Sequence, residues 1–503
     1  MQRICTIAAT SAAVLALAAC APSLKEPPRT AHLSVPSAFQ SSEAGEGGEF
    51  ADTDWVGSFG SPALSALVEE GLAHNRDLQA ASARVAQARA QARIAGADLW
   101  PQLGLEGQAA RSRSGLSKGG DTHSDYEFGL GVTWEADLWG RLASQQRGAA
   151  LAAQGAAHDY AAARLSLAGQ VAESWFALVV SRQQFELAAA TAETFGRSEQ
   201  IVRERHRAGL ASDLDVSLAI SNHRSAEALL RQRDQQLREA RRRLEVLLGR
   251  YPAAELTGSD TLPDLPERPA AGVPSEVLAR RPDLQGEFSR LMASRYNVAA
   301  AQRALLPRLT LTGSIGDGGS TLSDALDFKG VLATIVGNLT QPLFQGGRLR
   351  ANVDLTRAQE DEAVQRYAQT VLIALREVED ALGAESLLGE REAALAEAAR
   401  QAASAERLAE LQYTNGLTSL LTLLDAQRRN LEAQSQLLDI RLIRMTNRVR
   451  LHVALGGSVQ PTASAGQEQL SSRVDHPAVQ KVRPQNDFEP RSDAVRSDKA
   501  QEA

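Results

Sequence analysis

Apolar and polar residues alternate with period two from Tyr126 to Leu138: Tyr126, Phe128, Leu130, Val132, Trp134, Ala136 and Leu138 on one face, Glu127, Gly129, Gly131, Thr133, Glu135 and Asp137 on the other. A strand with an apolar face, aromatics near its ends and a polar or glycine face suits a barrel wall between lipid and water. It is also longer than the usual soluble strand. Weaker alternation at Leu103, Leu105 and Ala109, at Leu309, Leu311 and Ile315, and at Ala333, Ile335 and Leu339 completes a set of four. Strands are thus expected near 101–113, 126–138, 307–316 and 331–344. Four strands are too few to close a barrel, so their edges would have to pair with other copies of the chain. The competing reading is a soluble hairpin packed on helices.

Elsewhere the period is helical. From Gly140 to Arg207, and again from Gly347 to Tyr413, the chain is rich in Ala, Leu, Gln, Glu and Arg and holds no proline. At ~1.5 Å rise per residue each stretch makes a helix of roughly 100 Å, which only other helices can cover. Leu417, Leu424, Leu431, Leu438 and Met445 recur every seven residues, the seam of a coiled coil. The plan repeats. Trp100-Pro101 and Leu306-Pro307 lie 206 positions apart (306 less 100). Gly140-Arg141 matches Gly347-Arg348, Gly209-Leu210 matches Gly416-Leu417, and Leu248-Gly249 matches Leu455-Gly456, each at a shift of 207 (347 less 140). Such self-similarity marks an internal duplication.

The N-terminus sets the compartment. Arg3 precedes an apolar, Ala-rich stretch from Ile4 to Ala19, too short to span a bilayer and built like a secretory signal. Leu17-Ala18-Ala19-Cys20 resembles a bacterial lipoprotein cleavage box, which makes Cys20 the lipidated first residue of the mature protein. The expected layout is 1–19 lipoprotein signal peptide, 20–54 lipid-anchored polar tether, 55–250 first repeat, 251–274 Pro-rich connector, 275–456 second repeat and 457–503 polar disordered tail.

Composition removes several functions. The only cysteines are Cys5, lost with the signal, and Cys20, so no disulfide and no thiol metal site is expected. With 54 Lys and Arg against 61 Asp and Glu, the balance does not suit a nucleic-acid binder. Beyond the signal no apolar run is long enough for a spanning helix, so entry into a membrane requires a β-barrel. Neither HExxH nor a Gly-rich phosphate loop after a strand occurs; no enzyme and no cofactor is expected.

Several stretches, taken in order, resemble the outer membrane factor (TolC-like) family, in its lipoprotein branch serving resistance-nodulation-division pumps. They are Trp55-Val56-Gly57-Ser58-Phe59, Asp77-Leu78, Asp137-Leu138-Trp139-Gly140-Arg141, Arg280-Arg281-Pro282-Asp283-Leu284, Pro342-Leu343-Phe344-Gln345-Gly346-Gly347 and Leu424-Asp425-Ala426-Gln427-Arg428. The resemblance implies a mainly α fold with membrane strands: an internally duplicated, long-helix coiled-coil α-barrel, with four β-strands per chain, in a homotrimer closing one β-barrel. It implies an outer-membrane exit channel of a tripartite efflux system, lipid-anchored and reaching into the periplasm, with a periplasmic adaptor (membrane fusion) protein and an inner-membrane pump as partners. The alternative is the duct of a type I protein secretion system.

By the same resemblance, the helix-turn-helix ends at Gly209-Leu210 and Gly416-Leu417 contact the adaptor, and Tyr413, Leu421 and Asp425 form the periplasmic gate. Thr414 and Thr418 stand where relatives carry Arg and Asp, which leaves the gate without their charge links. Three Asp425 carboxylates around one axis would raise their own pKa and draw cations.

Overall fold

The computed structural model describes residues 35–41, 54–114, 121–327 and 329–457. Cys20, the signal segment and the tail lie outside the described residues. The first half runs α1 (Pro62–His74), α2 (Arg76–Ala97), β1 (Gln102–Arg113), β2 (Thr122–Ala136), α3 (Arg141–Arg207) and α4 (Asp213–Leu247). The second runs α5 (Pro274–Arg280), α6 (Pro282–Arg303), β3 (Arg308–Gly319), the short α7 (Leu322–Leu326), β4 (Leu332–Thr340), α8 (Arg348–Thr414) and α9 (Leu420–Ala454). The halves match in element length: α3 and α8 have 67 residues each, α4 and α9 have 35 each.

Strand ends differ from expectation for local reasons. β2 starts at Thr122 and stops at Ala136, not Leu138, because Asp137 turns to cap α3: its carboxylate accepts from the Leu142 amide (3.0 Å) and the Ala143 amide (2.8 Å). β4 stops at Thr340, short of 344, since Pro342 has no amide to give to a ladder. Leu417, expected at the head of the α9 seam, lies before the helix and is exposed, while Leu424 and Met445 are buried.

The four strands form one antiparallel sheet in the order β1-β2-β3-β4. α3 with α4, and α8 with α9, form two long hairpins, and α9 also lies along α3. Trp55, Val56 and Phe59 plug the middle of the molecule against Trp175, Phe176 and Leu244. The tether is more than a tether. Phe39 is buried against Val378, Leu382 and Leu451, and the Gln40 and Ser41 amides donate to Glu379 at 2.8 and 2.9 Å. Burial works to raise the Glu379 pKa, but those amides outweigh it and hold the carboxyl below its usual range. The connector is likewise packed, with Leu256 and Ala271 buried.

Most of the family-like stretches build the frame. Trp139 donates its indole N–H to the Pro307 carbonyl (2.6 Å), the Gly140 carbonyl accepts from Arg303 (2.9 Å), and Arg141 grips Glu135 (2.8 Å). These contacts fasten sheet to helices at one junction. Arg281, almost fully buried, holds Asp283 and Glu377, each at 2.7 Å, and so locks the start of α6 to α8.

Candidate functional site

Two regions have the composition of working surfaces: the sheet and the tips of the hairpins. In the sheet, the register Leu105↔Leu130↔Ile315↔Ala333 and Leu103↔Val132↔Gly313↔Ile335 brings the apolar positions of all four strands onto one face. Glu106, Gln108, Glu127, Thr312, Ser314 and Thr334 share the other face. The β1 and β4 edges are unpaired, and every residue of both strands is exposed. No helix among the described residues is long and apolar enough to cross a membrane. An open sheet of this kind leaves two rows of unmet backbone groups, a condition lipid does not tolerate.

The tips lie at the far ends of α3–α4 and α8–α9. Gly209 (φ +71) and Gly416 (φ +73) take the left-handed conformation that closes each helix, where a Cβ would be strained. Leu210 and Leu417 amides then reach back to the Arg205 and Gln412 carbonyls at 2.8 Å, which leaves both leucines exposed beyond the turns. Ser212 and Ser419 cap the next helices. One turn further on, Leu214 (66 % exposed) and Leu421 (67 % exposed) are repeat-mates.

The expected gate residues do not share one surface. Leu421 and Asp425 lie on one face of α9, but Tyr413 is only 4 % exposed and packs between the hairpins with Val202, Ala409, Leu420, Leu423 and Leu424. Burial raises its phenol pKa. Asp425 is paired with Arg428 and Arg429, each at 2.7 Å. Hydrogen bonds from Arg428 and then Arg429 hold its carboxyl below the usual range within one chain. Both arginines stand in the sequence three and four positions after Asp425, at the spacing that brings side chains together on one helix face.

Sequence reasoning also missed Arg205. From the last turn of α3 it donates to the Tyr413 carbonyl (3.1 Å) and lies over the Tyr413 ring (5.0 Å to the centroid). Further up, Gln427 donates to Ser198 (2.9 Å) in a buried bond between the same two hairpins. No periodicity signals such contacts, since each links residues more than two hundred apart.

A family model described as outer membrane efflux protein matches residues 67–250 and 273–457. The pyoverdine export outer membrane protein OpmQ of Pseudomonas putida is 33% identical over 457 residues, which cover 89% of this chain and 96% of that protein. The probable efflux pump outer membrane protein TtgC of the same species is 32% identical over 431 residues, 83% of this chain and 88% of its own. Among solved structures, the open state of the Neisseria gonorrhoeae MtrE outer membrane channel superposes with a TM-score of 0.76 at 28% identity, covering 87% of this chain and 98% of that one.

Proposed function

Because this chain belongs to the outer membrane efflux protein family and is an outer-membrane channel of a tripartite efflux system, we propose how it is built and closed. Three copies join edge to edge, β4 of one to β1 of the next, and make one twelve-stranded barrel. The apolar faces turn to lipid, and Glu106, Gln108, Glu127 and their neighbours wet the lumen. The helices α2, α3, α4, α6, α8 and α9 of each copy continue the wall into the periplasm. Cys20 carries lipid that holds each chain at the membrane, and Phe39 fixes the other end of that strap to α8 and α9. Cargo is chosen by an inner-membrane pump of the resistance-nodulation-division type.

The single observation that carries this reading is the sheet, with one continuous apolar face and two open edges. An unpaired backbone group in hydrocarbon costs several kcal/mol, roughly, so a lone copy is not tenable there. Palmitate labelling followed by extraction of outer membranes in mild detergent should yield a labelled trimer that loses its label in Cys20→Ser. A stable, membrane-inserted monomer contradicts the barrel.

The tips carry the two remaining roles. Leu210 and Leu417 are exposed apolar knobs on rigid turns and dock the adaptor, as a helix end docks in an apolar groove. Leu421 of each copy narrows the tunnel at its periplasmic end, with Asp425 and its two arginines one turn behind. The MtrE structure is of an open state, and we infer that this chain too changes aperture. Leu210→Ser together with Leu417→Ser should weaken capture of the adaptor in detergent without loss of trimer. Undiminished capture removes the docking role.

A further inference from the structure

We propose that Arg111 and Arg113, on the outward rim of the sheet, bind the phosphates of the glycolipid in the membrane's outer leaflet, a reading that rests on the assignment of this sheet to the barrel wall. The strand register orders the outward positions by depth. Ala136, Leu309 and Leu339 stand at the end nearest the long helices, and Tyr126, Ala109 and Gly319 stand at the other limit of the apolar tiers. Those limits are ten residues apart on β2 (136 less 126). At ~3.4 Å rise and a tilt of about 45° that is about 24 Å, the height of a lipid-facing band. Arg111, opposite Ser124, is the next outward tier, and Arg113, opposite Thr122, is the one after. They therefore stand roughly 5 and 10 Å above the band. The helices leave from the far ends of β1 and β2, so this rim faces the cell exterior.

Charge is sorted between the two faces at this rim. Beyond Tyr126 the outward positions are Arg111, Arg113, Thr122 and Ser124, two cations and two hydroxyls without an acid. Glu106, Asp125 and Glu127 fall on the inward face instead, and His123 pairs there with Asp125 at 2.6 Å. On the outward face of the described strands the only acid is Asp317, and it is buried, its carboxylate accepting from the Gly318 and Gly330 amides at 2.8 and 2.7 Å. Both arginines are exposed, and among the described residues neither has an acidic partner. They tie nothing within the chain. A guanidinium at this depth meets the phosphate layer, and its planar fork can donate two bonds to one phosphate. The exterior leaflet of an outer membrane is built of glycolipid with two phosphates on one head. Two arginines about 7 Å apart along a strand suit such a head better than a single phosphodiester does. Three copies repeat the pair around the barrel, and the channel is thereby moored at both leaflets, by Cys20 on the periplasmic side and by this rim on the other.

Native mass spectrometry of the full-length trimer, with bisphosphorylated lipid A added in detergent, tests the contact. Arg111→Ala together with Arg113→Ala should bind this lipid about tenfold more weakly, the loss of charge-assisted bonds to phosphate. Lipid A stripped of both phosphates should bind the unaltered trimer as weakly as the double variant binds the intact lipid. Arg111→Lys with Arg113→Lys keeps the charge without the fork and should fall between. Phosphatidylglycerol should bind weakly to every variant alike. Heat stability of the trimer and conductance in planar bilayers, read in parallel, show that each variant still assembles and inserts. Intact lipid A held equally by the unaltered and the double-alanine trimers, both conducting, overturns the rim site and leaves the barrel standing. Phosphatidylglycerol held as tightly as lipid A, and lost in the double variant, overturns the assignment to glycolipid. If the unaltered protein neither conducts nor retains lipid A, the barrel and the rim fall together.

Discussion

The two hairpins are copies in length and turn geometry, and they differ in what ties them. The first is tied by charge. Glu199 of α3 takes His223 of α4 at 2.7 Å and Arg203 at 2.7 Å, and Ser212 and Asp215 form a reciprocal cap at the start of α4. The hydrogen bond from His223, with Arg203 behind it and burial opposing both, holds the Glu199 carboxyl below its ordinary value. The second tip is held by packing: Leu420, Leu423 and Leu424 bury against Val202 and Phe195 of the first, and Arg205 closes the seam. Duplication supplied one scaffold twice. The tips then diverged, the first tied within itself by charge and the second packed against it.

The largest effect should come from the packed seam. Leu423 is almost fully buried, whereas its repeat-mate Val216 is half-buried. Leu423→Ala should lower trimer stability by about 2–5 kcal/mol, and Val216→Ala by clearly less. Thermal unfolding of the two variants side by side checks the ranking. Equal losses would mean that the tips are held alike.

At the other end of the hairpins, Glu245 of α4 and His452 of α9 are again repeat-mates, both buried, with opposite chemistry. Glu245 caps the amides of Ala254, Glu255 and Leu256, and these bonds outweigh burial to keep it ionised below the ordinary pKa of 4.5. His452 stacks on Trp55, its Nε2 has no partner, and burial with the nearby Arg448, only partly offset by Glu385, pushes its pKa down to about 4. The unfolded chain takes up that proton near pH 6.5, the folded one only near 4, so stability is intact above 6.5 and falls as pH drops through that window. The loss should reach roughly 3 kcal/mol at most. Glu245 begins to lose its contribution only below about 4.5. Melting curves against pH should show His452→Phe to be less acid-sensitive between 6.5 and 4. An unaltered pH profile would return the histidine to a passive role.

How much of this was legible in the sequence follows from which signals are periodic. Proline-free helices and the alternating face of β2 are regular over many residues, so their existence and the duplication could be read. The outer end of β2 could not: His123, Ser124 and Asp125 pair with Ser112, Arg111 and Ala110 through backbone alone, and polar residues on both faces carry no period. Phe39 is a single aromatic in a polar stretch, and its dock on Val378 and Leu451 became visible only with the fold. The site was half legible. Gly209 and Gly416 announce turns by residue type, while Tyr413 faces inward onto Val202, Leu420 and Leu423, neighbours that no local period announces.

The central claim is that the second tip, not the first, faces the channel axis. Leu214 and Leu421 occupy the same place in their repeats and are equally exposed, so nothing in their own surroundings separates them. With Cys5 and Cys20 the only cysteines, the background is clean for thiol chemistry. Cadmium added to planar bilayers should block current through Leu421→Cys channels, where three thiols converge, and leave Leu214→Cys channels conducting. Block of Leu214→Cys with Leu421→Cys untouched, or of neither, would contradict the account.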